Sequence, residues 1–324
     1  MYFQIHLTNI CNFKCKHCYL ENKQEIMPLE KFKIYIQKLK KYSKDKENTL
    51  AITGGEPLLI SNLIDYIDYA KDLNFDIVIL SNGSLINNDF CKKIKDKIKW
   101  IQVSLEGPKE INDYIRGNGS FEKILRGIKI ALDNNIKISI STTINKLNYN
   151  KLFELYNEIK HLNIWFLWFD RLIPFSEELK NIEINQEEFL EFLVLLKQLK
   201  LKTIEEQSGI IISTKRALQF LPGNESDLFI YNCSTCKHSL VLMPNGDLNT
   251  CPRLNIKLGN LNRDKISDLI TNNEKLIKDI HQIPNECNNC CFKQQCRGGL
   301  KCLTYNHFKD FNHGDIHCPF LKHE

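Results

Sequence analysis

The sequence predicts an α/β protein, in which six strand–helix units form a parallel sheet and a smaller α+β domain rich in cysteine follows. Three observations carry that prediction. Short apolar runs alternate with helical patterns through the first two-thirds of the 324 residues. The long periodic helices give out near residue 207. Of the 13 cysteines, all but one fall in two groups, at 11–18 and 233–318.

The runs YFQIHLT, TLAIT, FDIVILSN, WIQVSLEG, IKISISTTI and NIWFLWFD read as the six strands, being short and rich in β-branched and aromatic residues. Between them lie segments such as PLEKFKIYIQKLKKY and SNLIDYIDYAKDL, with apolar residues three and four apart. Pro28 suits the first turn of the first helix. Strands separated by helices run parallel through right-handed crossovers, which allows a doubly wound sheet or a barrel, complete or partial. The sixth strand is almost continuously apolar, as expected of a strand covered on both faces. The helix INQEEFLEFLVLLKQLKLKTIEE closes this part, placing a boundary that gives domains 1–207 and 208–324. Beyond it, SLVLMPNGDLNTC reads as a hairpin turning at Asn245-Gly246, a pair suited to positive φ at both central positions.

Composition narrows the class. Hydrophobic residues at 43% and charged residues at 26% are those of a globular enzyme. No stretch approaches the roughly 18–20 apolar residues of a membrane span, so no membrane partner is expected. The start, MYFQIHLTNICNFKC, has no basic region followed by an apolar one, which points to the cytoplasm. The formal charge of +5 comes from lysines spread along helices, as in KFKIYIQKLKKYSKDK. Such lysines are solvated faces, and no nucleic-acid partner follows from them. In a reducing compartment, clustered cysteines argue for metal and against disulfides.

The first strand leads into Cys11, Cys15 and Cys18, spaced C-x3-C-x2-C. Three thiolates in one loop can hold one face of a cubane iron–sulfur cluster and leave one iron without a protein ligand. The competing reading is zinc, which wants four ligands; the nearby His17 sits inside the tight loop. Further segments follow strand ends: Gly54-Gly55-Glu56-Pro57, Ser81-Asn82-Gly83, Ser104-Leu105-Glu106-Gly107, then Asn112-Asp113-Tyr114-Ile115-Arg116-Gly117. In this order they resemble the motifs of the radical S-adenosylmethionine (SAM) superfamily: the cysteine triplet, GGEP, T-N-G, S-L-D-G and H-D-x-x-R-G. Glu106 stands where Asp is usual, and Asn112 where His is.

The resemblance implies a partial (β/α)6 barrel and a 4Fe–4S cluster on Cys11, Cys15 and Cys18. SAM would chelate the open iron and be cleaved by one electron to a 5′-deoxyadenosyl radical, which abstracts a substrate hydrogen. It implies SAM contacts at Gly54, Gly55, Glu56 and Pro57, the glycines admitting the ligand to the backbone and Glu56 accepting from its ammonium. Ser81, Asn82, Ser104, Glu106, Arg116 and Thr143 complete the set, with Asn145 and Tyr19 nearby. Asp170 and Arg171 end the sixth strand, where Arg171 would touch SAM or substrate, the alternative being a surface ion pair.

The later cysteines, as Cys236-x9-Gly246-x4-Cys251 and Cys287-x2-Cys290-x5-Cys296, resemble the SPASM domain. The interval to Cys302 is five residues where that family has three. This resemblance implies one auxiliary 4Fe–4S cluster on Cys233, Cys236, Cys251 and Cys302. A second would lie on Cys287, Cys290, Cys296 and Cys318, making three clusters in all. Two zinc sites in a ribbon-like domain are the alternative. Three clusters would contribute a charge of about −5, leaving the loaded protein roughly neutral. Cys91, in a helical pattern, reads as a buried inert thiol, and Cys291 as a spare one.

SPASM-bearing enzymes mostly modify peptides and proteins; a smaller group acts in cofactor or haem pathways. Sulfatase-maturing members place Asp directly after the G-x4-C cysteine, but Pro252 and then Arg253 stand here, which disfavours that substrate. The expected function is therefore hydrogen abstraction from a peptide or protein, as a ribosomal-peptide maturase. A cofactor- or haem-type biosynthetic enzyme is the alternative, and a non-catalytic iron–sulfur scaffold or electron-transfer protein a third. The intact GGEP and open-iron triplet speak against the last. Expected partners are the substrate and a flavodoxin- or ferredoxin-like one-electron donor. The barrel reads from residue 1, so leader recognition would fall to a separate leader-binding protein or to the barrel surface. His313 and His317 carry no mark of catalysis.

Overall fold

The computed structural model describes residues 1–20, 24–43, 47–214 and 232–321. Among them the chain begins β1 (Tyr2–His6), α1 (Leu29–Ser43), β2 (Thr49–Thr53), α2 (Leu63–Asp72), β3 (Asp76–Ser81), α3 (Asn88–Ile94) and β4 (Trp100–Ser104). It continues with α4 (Lys109–Arg116), α5 (Ser120–Asp133), β5 (Ile138–Ile144), α6 (Leu152–Ile159), β6 (Phe166–Arg171), α7 (Glu177–Asn181), α8 (Gln186–Glu205) and β7 (Ile211–Thr214). The last part holds β8 (Ser239–Leu242), β9 (Asp247–Asn249), β10 (Lys257–Asn260), α9 (Ile266–Asn272), α10 (Glu274–His281), α11 (Lys293–Cys296) and α12 (Lys301–Phe308). The six expected strands are β1 to β6, and the fold is α/β with an open, largely parallel sheet. No described helix is long and apolar enough to cross a membrane.

Contacts divide the chain into two compact units. The first is Met1–Leu105, Asp113–Ile140 and Ser234–Glu274; the second is Glu106–Asn112, Ser141–Cys233 and Lys275–Glu324. This cuts the chain differently from the expected 1–207 and 208–324. The reason is strand pairing: β8 lies parallel to β1, from Tyr2↔Ser239 to Ile5↔Leu242, so the hairpin extends the N-terminal sheet. Side chains hold it there. The Tyr35 hydroxyl and the Lys31 ammonium, both from α1, each donate to Asn262 Oδ1 at 2.8 Å.

In the first unit the strand order is β10-β9-β8-β1-β2-β3-β4. Strands β1 to β4 are parallel, with registers Tyr2↔Thr49, Thr49↔Asp76 and Val78↔Trp100. Alternate residues, Phe3 and Ile5, Leu50 and Ile52, Ile77 and Ile79, Ile101 and Val103, are buried. A strand's side chains alternate between faces, so these form one apolar face. From α1 the matching stripe is Phe32, Tyr35, Ile36 and Leu39.

The hairpin turn differs from the expected one. Gly246 N–H donates to Met243 C=O at 3.0 Å and Met243 N–H to Asp247 C=O at 2.9 Å. Of the Asn245-Gly246 pair only Gly246 has positive φ, +89°. Pro244 takes the second turn position, which its fixed φ favours, so the loop is longer than two residues.

In the second unit β6 pairs in parallel with β7, from Phe166↔Ile211 to Phe169↔Thr214. That seventh strand lies beyond the six that the sequence marks individually; its four residues are too few to show alternation. Helix α8 opens on a capping box, Asn185 and Glu188 each accepting from the other's backbone N–H.

Candidate active site

The loop that carries the cysteine triplet is built on the turn after β2. Gly55 N–H donates to Thr8 C=O at 2.7 Å, and Glu56 N–H to Ile10 C=O at 2.8 Å. A Cβ on Gly54 would lie 2.3 Å from the Thr8 oxygen, and one on Gly55 2.2 Å from that of Ile10. The two glycines thus let the backbone of the cysteine loop meet that of the turn. Gly55→Ala is expected to reduce the iron held by the triplet while the far-UV circular dichroism stays in place. Iron analysis after anaerobic reconstitution checks this; unchanged iron would mean that the contact yields.

Glu56 is fully buried at the start of the short 3-10 turn Pro57–Leu59. Its Oε1 accepts from Leu58 N–H at 3.1 Å and from the Ser81 hydroxyl at 2.9 Å; Oε2 accepts from Asn82 N–H at 2.7 Å. Burial pushes its carboxyl up to about 7, against the pull of those three hydrogen bonds. An ionised carboxylate has about four acceptor positions, so room remains for a cation such as an ammonium. Asn82 reaches further, donating from Nδ2 to Asn12 Oδ1 at 2.8 Å and to Cys11 Sγ at 3.8 Å. Glu56, Ser81 and Asn82 therefore tie the ends of β2 and β3 to the cysteine loop. Ser104 ends β4, half-buried.

Arg116 arrives by way of Asp113. The Asp113 carboxylate accepts from Gly119 N–H, the Ser120 hydroxyl and Phe121 N–H at 2.8, 3.0 and 2.7 Å, capping α5 and fixing the end of α4. Lys16 N–H donates to Ile115 C=O at 2.9 Å, and Arg116 Nη1 donates to Cys15 Sγ at 3.6 Å. Phe13 N–H adds a donor to Cys11 Sγ at 3.4 Å. N–H donors aimed at sulfur favour thiolates, the form that binds iron. Burial pushes the Cys11 thiol up, which a cation beside it would reverse. Among the described residues no three His, Cys, Asp or Glu side chains stand arranged to hold a metal ion; the fit lies in the donor chemistry of the loop.

The remaining expected SAM residues belong to the second unit. Glu106 is fully buried; its Oε2 accepts from Thr143 N–H at 2.8 Å, and its C=O from Asn148 Nδ2 at 2.7 Å. Asn145 is buried in the turn that follows, its Oδ1 accepting from Leu147 N–H. Arg171 departs from expectation. Its Nη1 and Nη2 donate to the two oxygens of Asp315, each at 2.7 Å, with the two side chains 5% and 1% exposed. The ion pair is buried, not at the surface, because a charge at that depth needs a partner. His317 Nδ1 lies 3.0 Å from the same Nη1 and its Nε2 2.8 Å from Ile184 C=O. Burial first, then Arg171, brings His317 down to about 3, which keeps the ring neutral.

The C-terminal cysteines fall in both units. In the first, the Thr235 hydroxyl donates to Thr250 C=O at 2.6 Å, bringing together the chain next to Cys236 and Cys251. Cys233 and Cys302 belong to the second. So do Cys287, Cys290, Cys296 and Cys318, which lie within one another's electrostatic reach. Burial, more than any neighbour, pushes Cys296 up to about 12 and Cys318 up to about 11. Thiols so placed ionise only against a cation, as iron provides. Lys301 had no signal in the sequence beyond standing next to Cys302. It is buried, and its ammonium is held by Gln282 C=O and Phe311 C=O at 3.1 and 3.3 Å. Cys91 is fully buried, and its thiol is pushed up to about 11 by burial. Cys291 is exposed.

Residues 5–159 match the family model of the Radical SAM superfamily. The Fe-coproporphyrin III synthase of Methanosarcina barkeri is 33% identical over 169 residues, 49% of this chain and 42% of that enzyme, so the chain matches less than half of that relative's length. The cysteine-type anaerobic sulfatase-maturating enzyme of Clostridium novyi is 26% identical over 341 aligned residues, 96% of this chain and 90% of that one. Native anSMEcpe with bound AdoMet and Cp18Cys peptide shares the fold at a TM-score of 0.80 and 18% identity, covering 98% of this chain and 94% of that one. Residues 5–159 are a radical SAM superfamily domain, and over nearly its whole length the chain has the fold of SPASM-type radical SAM enzymes. The superfamily uses a 4Fe–4S cluster and SAM.

Proposed function

We propose that this enzyme abstracts a hydrogen atom from a peptide or protein, as a maturase of ribosomally made peptides. One observation carries the reading: the similarity to a sulfatase-maturating enzyme extends over 96% of this chain, well past the barrel-like part. Pro252-Arg253, in place of the Asp of sulfatase maturation, points to a different polypeptide substrate. Cys11, Cys15 and Cys18 would hold the SAM-cleaving cluster, and Gly54 to Pro57, Ser81, Asn82, Ser104, Glu106, Arg116 and Thr143 would surround SAM. When bound, the cluster and SAM supply the 5′-deoxyadenosyl radical, given one electron from a flavodoxin- or ferredoxin-like donor. Glu56 would accept from the SAM ammonium at its remaining acceptor position. Arg116 would balance thiolate charge at Cys15. A reducing, cytoplasmic setting suits these free thiols.

The test is turnover under anaerobic conditions with SAM, dithionite and peptides encoded beside the gene. Mass spectrometry should find a modified peptide, and deuterium from labelled peptide should appear in 5′-deoxyadenosine. The similarity to an Fe-coproporphyrin III synthase favours a second reading, a tetrapyrrole substrate. Conversion of coproporphyrin with no peptide modified would decide for that one.

The auxiliary clusters are assigned to Cys233, Cys236, Cys251 and Cys302, and to Cys287, Cys290, Cys296 and Cys318. Cys302→Ala should then lower bound iron by up to about four atoms and abolish substrate modification, while SAM cleavage continues. Unchanged iron, spectra and product would remove Cys302 from the ligand set, with Cys291 the next candidate.

A further inference from the structure

The interval between Cys296 and Cys302, RGGLK, is where the cysteine array departs from the SPASM spacing. It turns through three residues of positive φ, Arg297, Gly298 and Gly299, at +53°, +83° and +76°. Lys301 follows the turn and is 1% exposed. Gly298 leaves room for its ammonium, since a Cβ there would lie 3.2 Å from Nζ.

Arg171 and Lys301 are the buried Arg and Lys side chains among the described residues of the second unit, and they differ in their partners. Asp315 matches Arg171 through two hydrogen bonds, so that pair carries little net charge. The Lys301 ammonium meets the Gln282 and Phe311 carbonyls, which are dipoles and cancel no charge. Among the described residues no carboxylate pairs with it. Arg297, the other cation of the interval, is half-buried and turned to His281 C=O. A buried ammonium is unfavourable unless negative charge lies near. Here the candidates are sulfurs: Cys233, Cys287 and Cys296 act on Lys301 electrostatically, and Cys302 is its neighbour in the chain. Cys233 and Cys302 belong to one proposed ligand set, Cys287 and Cys296 to the other. A 4Fe–4S core with four thiolates carries about −2, the charge that an unmatched lysine complements.

We infer that Lys301 is a fixed positive charge that raises the reduction potentials of both auxiliary clusters. Reduction adds one electron to a core, from 2+ to 1+, and moves no proton. The added negative charge is stabilised by a cation held nearby at low dielectric. The electron is that of the flavodoxin- or ferredoxin-like donor. The inference rests on the auxiliary-cluster assignment above, and it gives the longer interval a use.

Potentiometric titration of the anaerobically reconstituted protein, followed by electron paramagnetic resonance, tests it apart from turnover. Lys301→Met keeps the apolar stem and removes the charge, whereas Lys301→Gln also keeps N–H donors. In both proteins each auxiliary cluster should be about tenfold harder to reduce, a fall of about 59 mV for one electron. Lys301→Arg keeps the charge and should stay near the parent. Lys309→Met removes a charge exposed to water and should change neither potential. Parent potentials in Lys301→Gln, or an equal fall in Lys301→Arg, overturn the inference. If Lys301→Met loses iron, the Gln and Arg proteins decide; loss of iron in all three makes Lys301 structural and overturns it too. A parent that binds only about four irons removes the auxiliary clusters and this inference together. A parent with about twelve irons and potentials indifferent to Lys301 sinks the inference alone, and the function stands.

Discussion

Replacing Cys11, Cys15 and Cys18 together by alanine should abolish release of 5′-deoxyadenosine from SAM, the largest loss expected of any change in this chain. The three thiols lie in one loop, and their sulfurs alone would hold the cluster that SAM meets. The protein around them does not depend on them for its fold. The loop is held by backbone bonds, Gly55 to Thr8, Glu56 to Ile10 and Lys16 to Ile115, none of which involves a cysteine side chain. The triple variant should therefore fold, and bound iron should fall from about twelve atoms to about eight as one of the three proposed clusters is lost. Anaerobic reconstitution, iron analysis and chromatography of the SAM products measure both quantities. Product release equal to the parent's would place SAM cleavage elsewhere. Tightly held zinc in place of iron would overturn the cluster assignment.

Asp315→Ala should destabilise the protein by about 3–5 kcal/mol, because it leaves the Arg171 guanidinium buried without its counter-ion. The loss extends past one pair. Asp315 also accepts Leu300 N–H at 2.8 Å and His317 N–H at 3.1 Å, and so fixes the chain beside Cys302 and Cys318. Removing both charges, as in Arg171→Met with Asp315→Leu, should cost less than the single change, since no charge is then stranded. Denaturant titration of the three proteins gives the comparison; equal stability of Asp315→Ala and parent would mean that the pair contributes nothing. The pair also sets a pH dependence. Burial pushes the Asp315 carboxyl up, but Arg171 outweighs burial and holds it below the usual range. A depressed folded value means that the stabilisation is present above the unfolded carboxylate value of about 4 and is lost as pH falls through the folded one.

By itself the sequence determined whatever depends on neighbours in the chain. The six strands and the helices α1, α2 and α8 follow from periodicity, which reports the burial of one face. The cysteine spacings and the glycine pair of GGEP are local too. Tertiary structure decided the rest, because pairing over long separations leaves no periodic mark. Nothing in SLVL announces that it will lie beside β1, yet Ser239 pairs with Tyr2 and thereby moves the unit boundary away from 207. Arg171 stands at a strand end, where a ligand contact is a fair expectation, but its partner is Asp315, 144 residues on. Gly54 and Gly55 show the need for close approach without showing that Thr8 and Ile10 are what approaches.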